Sequence, residues 1–211
     1  MASRLHLGPL THRTLHVCVD MQRLFSTDGP WPTPWMERVL PVVTAIARRH
    51  PERTIFTRFI PPWRPERMEG QWRRFYRRWR HVTRSQLDPA MLELMPPLAE
   101  LSPPADVVDK PTYSGFSTSA LPRLLAARDA DGIIVTGTET DVCVLATVLG
   151  AVDFGYRVVV VEDAVCSSSD AGHEALLTLY RERFTEQIDI VDSRALLEAW
   201  PADEPAAVAS A

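Results

Sequence analysis

Residues 133–151 read IIVTGTETDVCVLATVLGA. The stretch opens on a β-branched apolar run, passes through five small or polar residues, and becomes a helical pattern by Asp141. A short continuous apolar run reads as a strand buried on both faces. A strand feeding straight into a helix is the repeating unit of a parallel sheet with crossover helices. The same alternation extends in both directions. LHVCVDM (15–21), RTIFTRF (53–59), ADVVDK (105–110), YRVVVVED (156–163) and IDIVDS (188–193) read as further strands, with DGIIVTG (131–137) between them. Helical patterns fill 33–50, 117–129, 140–155, 169–184 and 193–200, and Pro41 should kink or split the first. The prediction is an α/β protein: one domain over residues 1–200, with a doubly wound, Rossmann-type three-layer sheet of about six parallel strands and helices on both faces. PADEPAAVASA (201–211) reads as a disordered tail.

Residues 60–104 interrupt the alternation. They are rich in proline and hold EGQWRRFYRRWRHVTR (69–84). Trp72, Phe75 or Tyr76, and Trp79 recur at helical spacing, leaving Arg to the other faces. Eight Arg against two Glu give +6 over residues 60–84. This variable Arg/Pro-rich insertion reads as an amphipathic surface helix, with a subunit contact or active-site lid as alternatives.

Composition narrows the class. The chain has 211 residues, 45% hydrophobic and 24% charged, with a net charge of −4. That balance gives no overall attraction to nucleic acid or anionic membrane, and no apolar run approaches a membrane span. The first residues lack the apolar core of a signal peptide. Cys18, Cys143 and Cys166 have no zinc-type spacing, and an odd number cannot form a complete disulfide framework. A reducing, cytoplasmic setting is expected. Of the 23 basic residues, 22 are Arg; the one Lys is Lys110. Codon bias explains the background, yet Arg cannot replace a compact ammonium fitted beside a reacting group.

Ligands of open parallel sheets bind beyond the carboxyl ends of the strands. Asp20 ends the first strand there, Lys110 ends the third, and Cys143 follows the fourth by one turn. Each alone has a plain alternative, Asp20 as a capping residue and Cys143 as an inert packed thiol. Three such groups on one sheet edge point to chemistry. Thr140 reads as an N-cap with the helix starting at Asp141, which puts Cys143 in the first turn. There the positive dipole end favours a thiolate, and free N–H groups can hold an oxyanion. Cys18 lies inside a core strand, and Cys166 reads as structural. No dinucleotide fingerprint, P-loop, serine-hydrolase elbow or H-E-x-x-H zinc motif is present.

CVDMQRLF, DKPTYSGF and GTETDVCVLAT, in this order and spacing, resemble the isochorismatase-like cysteine hydrolases, which include nicotinamidases, N-carbamoylsarcosine amidases and ureide amidohydrolases. The resemblance covers residues 14–193 and is weakest over 60–104. It implies a six-stranded parallel sheet, an Asp20–Lys110–Cys143 triad, and a cis peptide at Thr138–Glu139. It further implies oxyanion donors at the Glu139 and Cys143 N–H groups, and a pocket lined by Phe25. Tyr113 and Phe116 are further pocket candidates, and Arg58 is a candidate for a substrate carboxylate, with a plain surface charge as its alternative. Nicotinamidases carry T-x-D-W-H after the second strand, whose Asp and His bind a metal. Here Phe59 and Pro61 stand in those places, and neither can ligate. The expectation is a cofactor-free, metal-free amidohydrolase acting on a small amide or ureide, in a homo-oligomer (dimer or tetramer). The alternative is a non-catalytic, partner-binding protein that keeps the fold.

Overall fold

The computed structural model describes residues 5–201. Apart from Pro201, the expected disordered tail lies outside the described residues. Six strands are present: Thr14–Val19 (β1), Thr54–Phe59 (β2), Asp106–Lys110 (β3), Gly132–Thr138 (β4), Arg157–Cys166 (β5) and Ile188–Val191 (β6). All pair in parallel, in the order β3-β2-β1-β4-β5-β6. The chain winds outward from β1 in one direction and then, through β4, in the other. The winding reverses between β1 and β4, and this is where a crevice opens in such sheets.

The helices are Met36–Arg49 (α1), Gly70–Arg78 (α2), Pro96–Ala99 (α3), Ala120–Ala127 (α4), Leu145–Asp153 (α5), Asp170–Arg183 (α6) and Ser193–Ala199 (α7). The two-residue period of the strands divides the interior into two cores. Cys18, Phe56, Ile134, Val159 and Val161 face Val39, Val43 and Ile46 of α1 and Leu196 of α7. Val17, Val135, Val158 and Val160 face Leu121 and Leu125 of α4, Val148 of α5 and Leu177 of α6. Burial on both faces is why these strands read as unbroken apolar runs.

α1 is not split at Pro41. Both Pro41 and Glu37, whose carbonyl loses its helical donor, lie on the exposed side, where water can serve the freed group. Residues 60–104 make no core of their own. Tyr76, Val82, Leu94 and Leu98 are buried in the same cluster as α1. The helix in the Arg-rich run is shorter than its pattern, ending at Arg78, and a 3-10 turn follows. Among the described residues, no helix is long and apolar enough to cross a membrane.

Candidate active site

β1 ends by turning sharply at Asp20, whose φ of 51° lies in the left-handed region that Asp tolerates better than most residues. Thr57, on the neighbouring strand, holds the turn. Its carbonyl accepts the Asp20 N–H at 3.1 Å, and its hydroxyl donates to Asp20 Oδ1 at 2.6 Å. The other oxygen, Oδ2, lies 2.6 Å from Lys110 Nζ at the end of β3, and both side chains are fully buried. Cys143 is close enough to this carboxylate for its charge and a side-chain hydrogen bond to act on the thiol. Lys110 Nζ donates to the Thr112 carbonyl at 3.0 Å and lies 5.2 Å from the centre of the Phe59 ring. Burying two charges is costly even when they are paired, so such a pair is weak evidence of stability and better evidence of a working site.

Cys143 is carried to this pair by β4. Gly137, with φ 110°, lies against the backbone of Val19, and a Cβ there would collide with the Val19 carbonyl. The close approach sets the end of β4 beside the end of β1. The Thr138–Glu139 peptide bond is cis. The chain then makes a single π-helical turn, Thr140–Val144, before α5. Glu139, not Thr140, stands at the cap position, and no side chain caps the turn. The Thr140 hydroxyl instead sits 2.9 Å from His173 Nδ1 on α6, a buried partner that no local pattern reveals. The next residue is fixed too: Ser167 Oγ donates to Asp141 Oδ1 at 2.5 Å.

The setting of the thiol also departs from the sequence expectation. Burial pushes the Cys143 pKa well above its ordinary value, the Asp20 carboxylate pushes it further, and Lys110 opposes both. Burial and the neighbouring carboxylate thus favour the neutral thiol, and Lys110 favours the thiolate. Desolvation and a like charge work against the dipole end at the helix start. Cys18 and Cys166 are pushed up to about 12, mainly by burial, in keeping with structural roles.

The thiol opens into a cavity of about 340 Å³. Six rings wall it: Phe25, Trp31, Phe59, Phe75, Trp79 and Tyr113. Glu139, Val142 and Ser168 contribute near Cys143. Phe25 and Tyr113 stand where the sequence reading placed them. Phe116 does not: it packs on the opposite side of the sheet against Phe154, Tyr156 and Gly150, in the core beneath α5. Arg58 is also elsewhere. It pairs with Asp109 through Nε at 2.8 Å and Nη2 at 3.1 Å, and with Glu93 at 3.3 Å. These ion pairs hold Arg58 outside the walls of the cavity.

Trp31, Phe75 and Trp79 were missed as cavity residues. The last two were legible in part, since Phe75 on α2 and Trp79 at its C-terminal cap lie four residues apart, the spacing of one helix face. A larger cleft of about 500 Å³, lined by Pro61, Trp63, Arg67 and Arg84, also touches Lys110 but neither Asp20 nor Cys143.

The model of the isochorismatase domain matches residues 14–192. The chain belongs to the isochorismatase family. Among solved structures, a cysteine hydrolase from Pseudomonas syringae pv. phaseolicola superposes with a TM-score of 0.76 at 25% identity, covering 95% of this chain and 97% of that one. N-carbamoylsarcosine amidase of Thermoplasma acidophilum gives 0.69 at 21% identity, covering 92% and 99%, a likeness of fold. The ureidoacrylate amidohydrolase of Yersinia enterocolitica is 43% identical over 58 residues, 28% of this chain and 25% of that protein. Matches to curated relatives span less than half of those proteins' own lengths.

This isochorismatase-family chain does not fit a metal at the end of β2. Phe59 faces the cavity, and its ring lies over the Lys110 ammonium, in the place where the nicotinamidase pattern implies a metal-binding carboxylate. Pro61 lines the separate cleft. Among the described residues, no three His, Cys, Asp or Glu side chains gather as a ligand set.

Proposed function

We propose that this protein is a cysteine amidohydrolase that cleaves the C–N bond of a small amide, carbamoyl or ureide substrate without a metal. The observation that carries the reading is the buried Asp20–Lys110 pair beside a buried thiol on the floor of a cavity. Asp20 and Cys143 follow β1 and β4, the two strands between which the winding reverses, which supports it. The family's named amidases lend further support.

Asp20, already within reach of the thiol, takes its proton as Cys143 Sγ attacks the carbonyl carbon. Lys110, 2.6 Å from Asp20, steadies the charge as it moves from Asp20 to sulfur. The carbonyl oxygen gains negative charge and rests on the Glu139 and Cys143 N–H groups. Collapse breaks the C–N bond, and the leaving nitrogen carries away the proton held by Asp20. Water then attacks the thioester carbon and gives its proton to Asp20. The S–C bond breaks, and the proton returns to Cys143 as the acid product leaves.

Turnover of a panel of amides and ureides tests this reading, in wild type and in Cys143→Ser. The variant should lose at least about 10³-fold in kcat/KM while keeping its fold, because a hydroxyl is a poorer nucleophile without a matched base. Wild-type activity should survive exhaustive chelation. A Ser variant at wild-type rate, or activity lost on chelation and restored by metal, overturns the corresponding part. A fold with no turnover on any amide favours the partner-binding alternative.

A further inference from the structure

We infer that His173 is a positioning residue: through the Thr140 hydroxyl it holds the π-helical turn in the geometry that offers the Cys143 N–H to the oxyanion. This deepens the hydrolase reading and rests on it.

The turn itself supplies the first reason. In an α-helix the Cys143 N–H would donate four residues back, to the Glu139 carbonyl. That carbonyl instead accepts the N–H groups of Val142 and Val144, each at 3.0 Å. The extra residue of a π turn lets these bonds pass Cys143 by on both sides. Such turns are rare, and no side chain caps this one. Its geometry has to be held from outside.

The start of α6 supplies the hold. Thr140 is fully buried, and its hydroxyl lies 2.9 Å from His173 Nδ1. Asp141 accepts the Ser167 hydroxyl, and a Cβ at Gly172 would collide with the same carboxylate. Two successive residues of the turn thus rest on one end of α6 and the loop before it. His173 is fixed in its own right. Its N–H donates to the Ser169 carbonyl at 2.9 Å, the Ser169 hydroxyl caps the helix through the Gly172 N–H, and its ring packs 5.9 Å from that of Trp35.

The position of His173 supplies the third reason. It is not a wall of the cavity, so it acts on the chemistry through the turn and not through the substrate. A turn displaced by about 1 Å is enough to cost on the order of 10²-fold in rate.

The test uses His173→Leu, which keeps bulk but cannot hydrogen-bond, and His173→Asn, whose amide stands at the position of Nδ1. The oxyanion forms only in the transition state. The Leu variant should therefore lose about 10- to 10²-fold in kcat with KM within about threefold, and the Asn variant should recover most of the loss. Thr140→Val removes the same contact from the other side, and the double variant should be no worse than either single one. Should the Leu variant not fold, Thr140→Val carries the same comparisons.

Benzaldehyde gives a readout without turnover. Cys143 Sγ bonds to its carbonyl carbon, the thiol proton passes to Asp20, and the resulting oxyanion has no leaving group to expel. Affinity is read as protection of Cys143 from iodoacetamide, against benzyl alcohol, which has no carbonyl. The preference for the aldehyde should fall at least about tenfold in the Leu variant and return in the Asn variant. Leu and Asn variants impaired alike, or a Leu variant with wild-type kcat and aldehyde preference, overturn the role of His173 and leave the hydrolase reading intact. Equal loss of affinity for aldehyde and alcohol makes His173 a packing residue and overturns the role as well. A wild type that turns over no amide, with the aldehyde preference lost in Leu and restored in Asn, upholds the positioning and overturns the hydrolase reading. A wild type that neither turns over an amide nor prefers the aldehyde overturns both.

Discussion

Lys110 shows what a single residue type decides. Its ammonium fits among the Asp20 carboxylate, the Thr112 carbonyl and the face of Phe59, with no exposed surface. A guanidinium is planar and wider, and in a closed site it displaces one of these neighbours. Lys110→Arg should therefore fail almost as badly as Lys110→Ala, with kcat/KM lower by on the order of 10² to 10³. Kinetics of both variants, with circular dichroism to check folding, decide the matter. An Arg variant with most of its activity would reduce the lone lysine to a product of codon usage. The composition alone raised this question, since 22 of 23 basic residues are Arg. The answer needed the three contacts, which come from three separate segments.

Elements bring the reactive groups within reach of one another, and β4 depends on one glycine to do so. Gly137 takes a positive φ and presses on the Val19 backbone, so Gly137→Ala meets both a conformational penalty and a collision. Gly155, between α5 and β5, has φ 82° with open space around it, so Gly155→Ala meets the conformational penalty alone. Urea unfolding should show a loss of about 1 kcal/mol for Gly155→Ala and about 3 kcal/mol or more for Gly137→Ala. Equal losses would mean that the contact with β1 carries no weight. α2 makes a related point. Its Arg residues were read as a solvated face, and Arg73, Arg74, Arg77 and Arg78 are exposed. Its opposite face was legible as apolar, but periodicity could not show that Phe75 and Trp79 wall the cavity that holds Cys143.

At the scale of the whole molecule, stability should depend on pH through a residue far from the chemistry. His16 lies fully buried in β1, its ring 3.2 Å from the Thr54 hydroxyl and 2.8 Å from that of Thr136. Burial lowers its pKa to about 3. The unfolded chain holds the proton up to about 6.5, so between these values it binds more protons than the folded one. The contribution is complete above about pH 6.5 and is lost as pH falls toward 3, at up to about 1.4 kcal/mol per pH unit. Comparing unfolding free energies at pH 7 and pH 4 for wild type and His16→Gln isolates this residue from the other acids. The variant should show the shallower decline, and identical slopes would remove His16 from the account.

The sequence alone determined the order of strands and helices, because burial on both faces writes itself as unbroken Val and Ile runs between amphipathic stretches. It also determined the edge on which Asp20, Lys110 and Cys143 stand, because side chains that end parallel strands share one rim of the sheet. Local chemistry of that kind is recorded in neighbouring residues. The upward push on the Cys143 pKa, the pairing of Thr140 with His173, and the withdrawal of Arg58 and Phe116 from the cavity are not so recorded. Each depends on a partner distant in sequence, and the energies that decide them arise only when those segments meet: desolvation, an opposing charge, a competing carboxylate. Tertiary structure alone chose which face of each strand and of α2 became a wall of the site.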